Sequence, residues 1–174
     1  MRNIEVVNYN NEWPRKFEEE KEKLEAVLKD ELVEVHHIGS TSVPGLKAKP
    51  VIDIMPVVKN IEAVDRNEAG MVELDYESLG EYGIVGRRYF RKGGDNRTHH
   101  VHVFEETSED IIRHLAFRDY LRIHPEVRIH YENLKVKLVN EFSDDIEGYM
   151  DGKNHFIQET EKTAMIWYKN NKLK

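Results

Sequence analysis

Apolar residues recur with helical spacing at the two ends of this chain and with strand spacing through its middle. Trp13, Phe17, Leu24, Val27 and Leu28 fall on one helical face, and the charged run EEEKEKLE supplies a solvated outer face. Asn11 or Glu12 caps that helix, and Pro14 suits its first turn, where a missing N–H costs little. The helix is expected to end near Lys29 or Asp30, and residues 4–9, IEVVNY, read as a short strand before it. Leu32–Ile38 reads as a strand with Val33, Val35 and His37 on one face. Residues 39–49 read as a loop with room for one helical turn near Ser42 or Val43. Residues 51–58, VIDIMPVV, are almost continuously apolar and read as a buried strand. Pro56 implies a bulge there or the strand's far end.

A helix is expected over 61–72, weakened near its end by Gly70. The glycine-rich stretch 74–97 reads as short strands and turns, with a strand over 87–92 followed by the turn GGDN. Residues 98–104, THHVHVF, alternate: His100 and His102 share one face, and His99, Val101 and Val103 the other. Thr107 or Ser108 caps a helix reaching about Ile123. Pro125 starts another, with Val127, Tyr131, Leu134, Leu138 and Phe142 in helical register. A last helix is expected over 153–168, with Phe156, Thr160, Ala164 and Trp167 on one side. This order of elements predicts an α+β fold: a mixed β-sheet with packed helices and a helical C-terminal third.

Composition narrows the picture. With 174 residues, no internal repeat and no linker, residues 1–174 read as a single domain. A net charge of −7 argues against duplex nucleic acid as a partner, although a local basic patch would still hold a nucleotide. The chain has no cysteine, which excludes disulfides, thiolate metal sites and cysteine nucleophiles and fits a cytoplasmic protein. MRNIEVVNYN lacks the apolar core of a signal peptide, and no apolar run approaches the ~20 residues of a membrane span.

The stretch HHIGSTSVPGLKAKPVIDIM carries the most chemistry. Glycine lets a backbone approach a phosphate closely, and the turn after Gly39 can donate N–H groups to it, with hydroxyls from Ser40 and Thr41 beside them. A tight strand-to-helix turn with capping serines explains the same residues. Asp53 sits in an apolar strand, where a carboxylate needs a partner or a metal. A salt bridge to Lys49 or to an arginine of residues 87–91 would serve. His100 and His102 point the same way and, with Asp53 on a neighbouring strand, would make a three-ligand site; lining a polar cleft is the other reading. Arg87, Arg88 and Arg91, and Arg113, Arg118 and Arg122 on a later helix, are local cations in an acidic protein.

The strings HHIGSTSVPGLKAKPVIDI, GRRYF, THHVHVF and RHLAFRDYLRIHPE, in that order, resemble the GrpB family. The resemblance implies a nucleotidyltransferase-like fold of the DNA polymerase β-type superfamily. In that superfamily a Gly-Ser turn holds a nucleotide's phosphates, and three acids on two strands hold two divalent metals. Gly39 and Ser40 match the turn, and Asp53 matches the first acid. The second acid position is Met55, which cannot bind a hard cation such as Mg²⁺. The third acid belongs on the strand that here carries His100 and His102. Asp53, His100 and His102 would suit Zn²⁺ or Mn²⁺ better than Mg²⁺. The resemblance thus implies a nucleotidyltransferase-like protein that binds a nucleotide or another phosphorylated small molecule. Gly39, Ser40, Thr41, Lys49, Arg88, Arg113 and Arg118 are expected around the phosphate, and Asp53, His100 and His102 at the metal or in acid–base steps. A non-catalytic ligand-sensing or interaction module, and a metal-dependent hydrolase using Asp53 and the two histidines, are the other expectations.

Overall fold

The structure, a computed structural model, describes residues 5–172. β1 (Leu32–Ile38) lies antiparallel to β2 (Ile52–Val58), and β2 lies parallel to β5 (His99–Glu105). β4 (Arg88–Lys92) runs antiparallel to β5, and the two-residue β3 (Glu77–Ser78) runs antiparallel to β4. The sheet order is therefore β1-β2-β5-β4-β3, with the apolar run 51–58 in a covered inner position, as its lack of alternation requires.

The two faces of the sheet are covered differently. α1 (Trp13–Leu28) lays Trp13, Phe17, Leu24 and Leu28 on a face that includes Ile52, Ile54, Val101 and Val103. Burying a side chain of that size is worth roughly 1.5–3 kcal/mol. On the opposite face Ile38, Met55 and Phe104 form a smaller cluster with Ile111 and Leu115 of α4 (Asp110–Ile123). α5 (Pro125–Glu141) and α6 (Ile146–Asn171) complete the helical third. Val43 and Leu46, from the loop between β1 and β2, pack on Leu121 of α4 and Tyr131 of α5. That contact fixes the Gly39–Ser40 turn against the C-terminal helices.

Several elements differ from the sequence expectation, each for a physical reason. Of residues 4–9, residue 4 lies outside the described residues, and Val7 makes one isolated bridge to Ala48 where a strand was expected. Pro56 lies inside β2 opposite Val35, and pairing with β5 lapses at Met55 and Pro56 before resuming in register at Val57. The bulge in this ladder lies elsewhere, between Leu32 and Glu34. The helix expected over 61–72 is two, α2 (Glu62–Arg66) and α3 (Glu68–Glu73), broken at Asn67, whose side chain donates back to Ala63 O. Ser108 Oγ does accept the N–H of Asp110 at the start of α4.

α6 begins at Ile146, before the expected Lys153, because its glycines serve packing. A Cβ on Gly152 would lie 2.6 Å from Leu138 Cδ2, so only glycine lets α6 approach α5 at that point. Read alone, such a glycine signals a weak helix.

The run EEEKEKLE is not uniformly solvated. Glu20 is 3% exposed and accepts from Tyr76 Oη at 2.7 Å and Lys92 Nζ at 2.5 Å. It joins α1 to β4 through a buried ion pair. Removing one partner of such a pair strands the other. Glu20→Ala is expected to cost about 3 kcal/mol in urea-unfolding stability; a loss under about 0.5 kcal/mol, typical of a surface site, would contradict a buried-pair role.

Candidate functional site

Parallel pairing sets Asp53 of β2 opposite His100 of β5, and the strand period of two puts His102 on the same face. Asp53 Oδ1 accepts from His102 Nε2 at 3.1 Å and from His100 Nδ1 at 3.3 Å. The Asp53 side chain keeps 26% exposure toward the cavity described below. Burial opposes its charge, but the His100 and His102 hydrogen bonds outweigh that and hold the carboxyl well below the usual carboxylate range. Burial also pushes His102 down, so its imidazole is neutral at pH 7. The expected salt bridge from Asp53 to Lys49 or an arginine of residues 87–91 is replaced by these two histidines. Of the arginines at 87–91, Arg87 stands one imidazole further out: its Nη1 lies 3.3 Å from His102 Nδ1.

Gly39 is required twice over. Its φ of 72° is a left-handed conformation, and a Cβ there would lie 2.6 Å from Asp53 Oδ2. The turn is closed by Ser42, whose N–H and Oγ both donate to Gly39 O. Ser40 is thereby turned toward α5, where Lys135 Nζ donates to Ser40 Oγ at 2.6 Å and to Lys47 O at 3.1 Å. Lys135 is 2% exposed, and its ammonium lies 4.2 Å from the Tyr131 ring centroid. Burial, helped by Lys153, pushes its pKa well below the ordinary lysine value.

Ser40, Asp53, His100 and Lys135 line one cavity of about 400 Å³. Lys49, Arg97 and Lys153 bring further cations to its wall, and Glu5 a second acid beside Asp53. Tyr82, Tyr89 and Tyr149 add aromatic surface. Lys135 and Lys153 were not singled out from the sequence. The signal for Lys135 was its place four residues after Tyr131 and three before Leu138, which sets it on the buried face of α5.

Other residues expected around the phosphate lie elsewhere. Thr41 lines the cavity, but its hydroxyl donates to Val51 O and pairs with His37 Nε2, both at 3.0 Å. Arg88 makes a two-pronged pair with Asp65. Arg113 is held by Asp110 and Glu161, and Arg118 by Asp119 and the carbonyl of His37. None of these three arginines is among the residues lining the cavity. Met55 is fully buried beside Ile38 and Phe104, so the second acid position of the superfamily is filled by hydrophobic core.

One ligand atom each from Asp53, His100 and His102 fall within 4.8 Å of one another, close enough for a metal ion. The second ring nitrogens do not suit one. A metal-bound histidine usually donates its other N–H to a carboxylate, carbonyl or water. Here that nitrogen of His102 faces a guanidinium, and that of His100 is buried with no hydrogen-bond partner.

A family model described as GrpB protein matches residues 3–163. The chain belongs to the GrpB family. YqkA, a UPF0157 protein of Bacillus subtilis, is 46% identical over 168 residues, covering 97% of this chain and 49% of YqkA. The chain thus spans about half the length of that GrpB relative. The crystal structure of the conserved protein GrpB from Enterococcus faecalis superposes with a TM-score of 0.91 at 45% identity, covering 94% of this chain and 99% of that one. The Cid1 poly(U) polymerase, solved with Mg 3′-dATP bound, superposes with a TM-score of 0.54 at 11% identity over 84% of this chain and 49% of its own. This likeness shows that the GrpB fold is nucleotidyltransferase-like. Among the described residues no helix is long and apolar enough to cross a membrane.

His37, under the turn, supplies a pH test of this geometry. It stacks on Phe17 and is 8% exposed. Burial pushes its pKa down to about 4 from the ordinary 6.5. The unfolded chain therefore binds a proton there before the folded one does. The resulting stability is fully present above pH 6.5 and is lost as pH falls to 4, by about 3 kcal/mol at most. In urea unfolding across that window, the advantage of the wild type over His37→Gln is expected to shrink as pH falls; a constant difference would mean that His37 titrates normally.

Proposed function

We propose that the protein binds a nucleotide or another phosphorylated small molecule in the cavity beside the Gly39–Ser40 turn. The observation that carries this reading is Lys135: a buried lysine from α5 donating to Ser40 Oγ at the wall of that cavity. Burying an ammonium is costly, and here one neutral hydroxyl and one carbonyl are its hydrogen-bond acceptors. An incoming phosphate would favour the charged form of Lys135, which burial disfavours, and take charge-assisted hydrogen bonds from Lys135 and Ser40. Lys49, Lys153 and Arg97 surround the same space with positive charge. The turn N–H groups beyond Gly39 belong to a single turn of 3₁₀ helix, too short for a helix dipole, so the side chains carry the recognition. Support from the fold comes through Cid1, whose structure with Mg 3′-dATP joins the same architecture to a nucleotide. The reading takes residues 1–174 as one domain working in the cytoplasm, and any turnover would be transferase chemistry on the bound phosphate compound.

One observation favours a second reading, a ligand-sensing module without turnover. With Met55 in the core, β2 itself offers no second metal-binding carboxylate two residues after Asp53.

Calorimetric titration with ATP, GTP, UTP and pyrophosphate, each with and without Mg²⁺, Mn²⁺ or Zn²⁺, tests the binding reading. At least one compound is expected to bind, and Lys135→Met to weaken it about 10-fold or more, the loss of one charged hydrogen bond. Absence of binding under every condition, or unchanged affinity in a folded Lys135→Met variant, would remove it.

A further inference from the structure

The hydrogen bonds around Asp53 form a directed chain. Arg87 is 7% exposed, and its guanidinium donates to Glu81 O at 3.2 Å and Tyr82 O at 2.9 Å. A guanidinium has five N–H groups and no acceptor. Its third polar contact, Nη1 to His102 Nδ1 at 3.3 Å, therefore requires Nδ1 to be the lone-pair side of the ring. A neutral imidazole then carries its proton on Nε2, the atom 3.1 Å from Asp53 Oδ1. On the other side, His100 Nδ1 lies 3.3 Å from Asp53 Oδ1 and can meet that carboxylate only as a donor, while its Nε2 is buried with no hydrogen-bond partner.

From this we propose that Arg87, His102 and Asp53 form an imidazole-bridged ion pair, which closes the cluster to divalent metals and makes the cavity a site for a phosphate compound without its metal ion. The proposal rests on the phosphate reading above and fixes the form of the ligand. For His102 to bind a metal through Nε2, its proton must move to Nδ1, where it would meet the N–H of Arg87 head on. Arg87 cannot turn aside without giving up Glu81 O and Tyr82 O, two carbonyls of the 79–86 segment, and Tyr82 lines the cavity. His100 would need an acceptor for its Nε2 proton if Nδ1 were the metal ligand, and none is present. Both histidines are thus polarised toward the carboxylate as donors, the reverse of what a metal centre asks of them. The Asp53 charge is met through His102 by Arg87 and directly by His100. With that charge already answered, the charge of the phosphate falls to Lys135 and the other cations of the wall, and Arg87 acts as a positioning residue.

Two measurements on the purified full chain test this. The first is a long-range ¹H–¹⁵N spectrum of the histidine rings at pH 7 in the presence of EDTA. Nε2-protonated His102 and Nδ1-protonated His100 are expected; a proton on His102 Nδ1 would overturn the proposal. The second is titration with Zn²⁺ and Mn²⁺ alone. The wild type is expected to bind about 10-fold or more weakly than Arg87→Met, which keeps the side-chain length and removes the donors. Equal affinity in the two, or one tightly held ion per wild-type chain, would overturn it. Neither experiment contains a nucleotide, so a cavity that binds no phosphate compound would remove the phosphate reading and leave these outcomes to be read independently. The spectrum uses the wild type alone, so it decides the matter even if Arg87→Met does not fold.

Discussion

The carboxylate of Asp53 is the constraint around which the candidate site of this protein is arranged. It sits on an inner strand, between a glycine turn on one side and two imidazoles on the other. The charge is kept because His100 and His102 both donate to it, and both arrive from one strand through parallel register. The turn after β1 can pass close by only because residue 39 has no side chain. His102 then ties the carboxylate to Arg87 and through it to the 79–86 segment. A change at any of these points would be felt by the others, because this half-buried charge depends on its partners for what water no longer supplies.

A second centre complements the first. Lys135 comes from the helical third and reaches the turn that the sheet provides. The loop residues Val43 and Leu46, packed on α4 and α5, hold those two parts together. One wall of the cavity thus carries an ionised carboxylate answered within the sheet, while the other carries a buried lysine whose hydrogen-bond acceptors are neutral. This asymmetry is what the proposed anionic ligand would use in a protein with an overall charge of −7.

The strands and helices were legible where period and capping agreed. The apolar 51–58 run and the alternation around His100 and His102 report burial that the backbone geometry demands, whereas Leu32–Ile38 is the expected strand but is buried only at His37 and Ile38, with Val33 exposed beside the bulge. The meeting of Asp53 with both histidines was legible too, given a sheet that pairs their strands. Less legible were residues whose meaning depends on a distant partner. Gly152 reads as a helix breaker until Leu138 is seen against it. Glu20 reads as surface until Tyr76 and Lys92 meet it, and Lys135 reads as one of many helix lysines until Ser40 does. Arg88, Arg113 and Arg118 illustrate the converse, since local positive charge says nothing about which carboxylate lies nearby. Membership of the GrpB family agrees with the nucleotidyltransferase-like fold, while Met55, where the resemblance led a second acid to be expected, lies buried in the core.

The most direct measurement is a crystal structure of the protein soaked with pyrophosphate in a metal-free buffer containing EDTA. Phosphate oxygens within hydrogen-bonding distance of both Ser40 Oγ and Lys135 Nζ are the expected result, with the Asp53–His102–Arg87 contacts unchanged. Pyrophosphate bound elsewhere, or a cavity that stays empty at saturating concentration, would contradict a phosphate site at the Gly39–Ser40 turn.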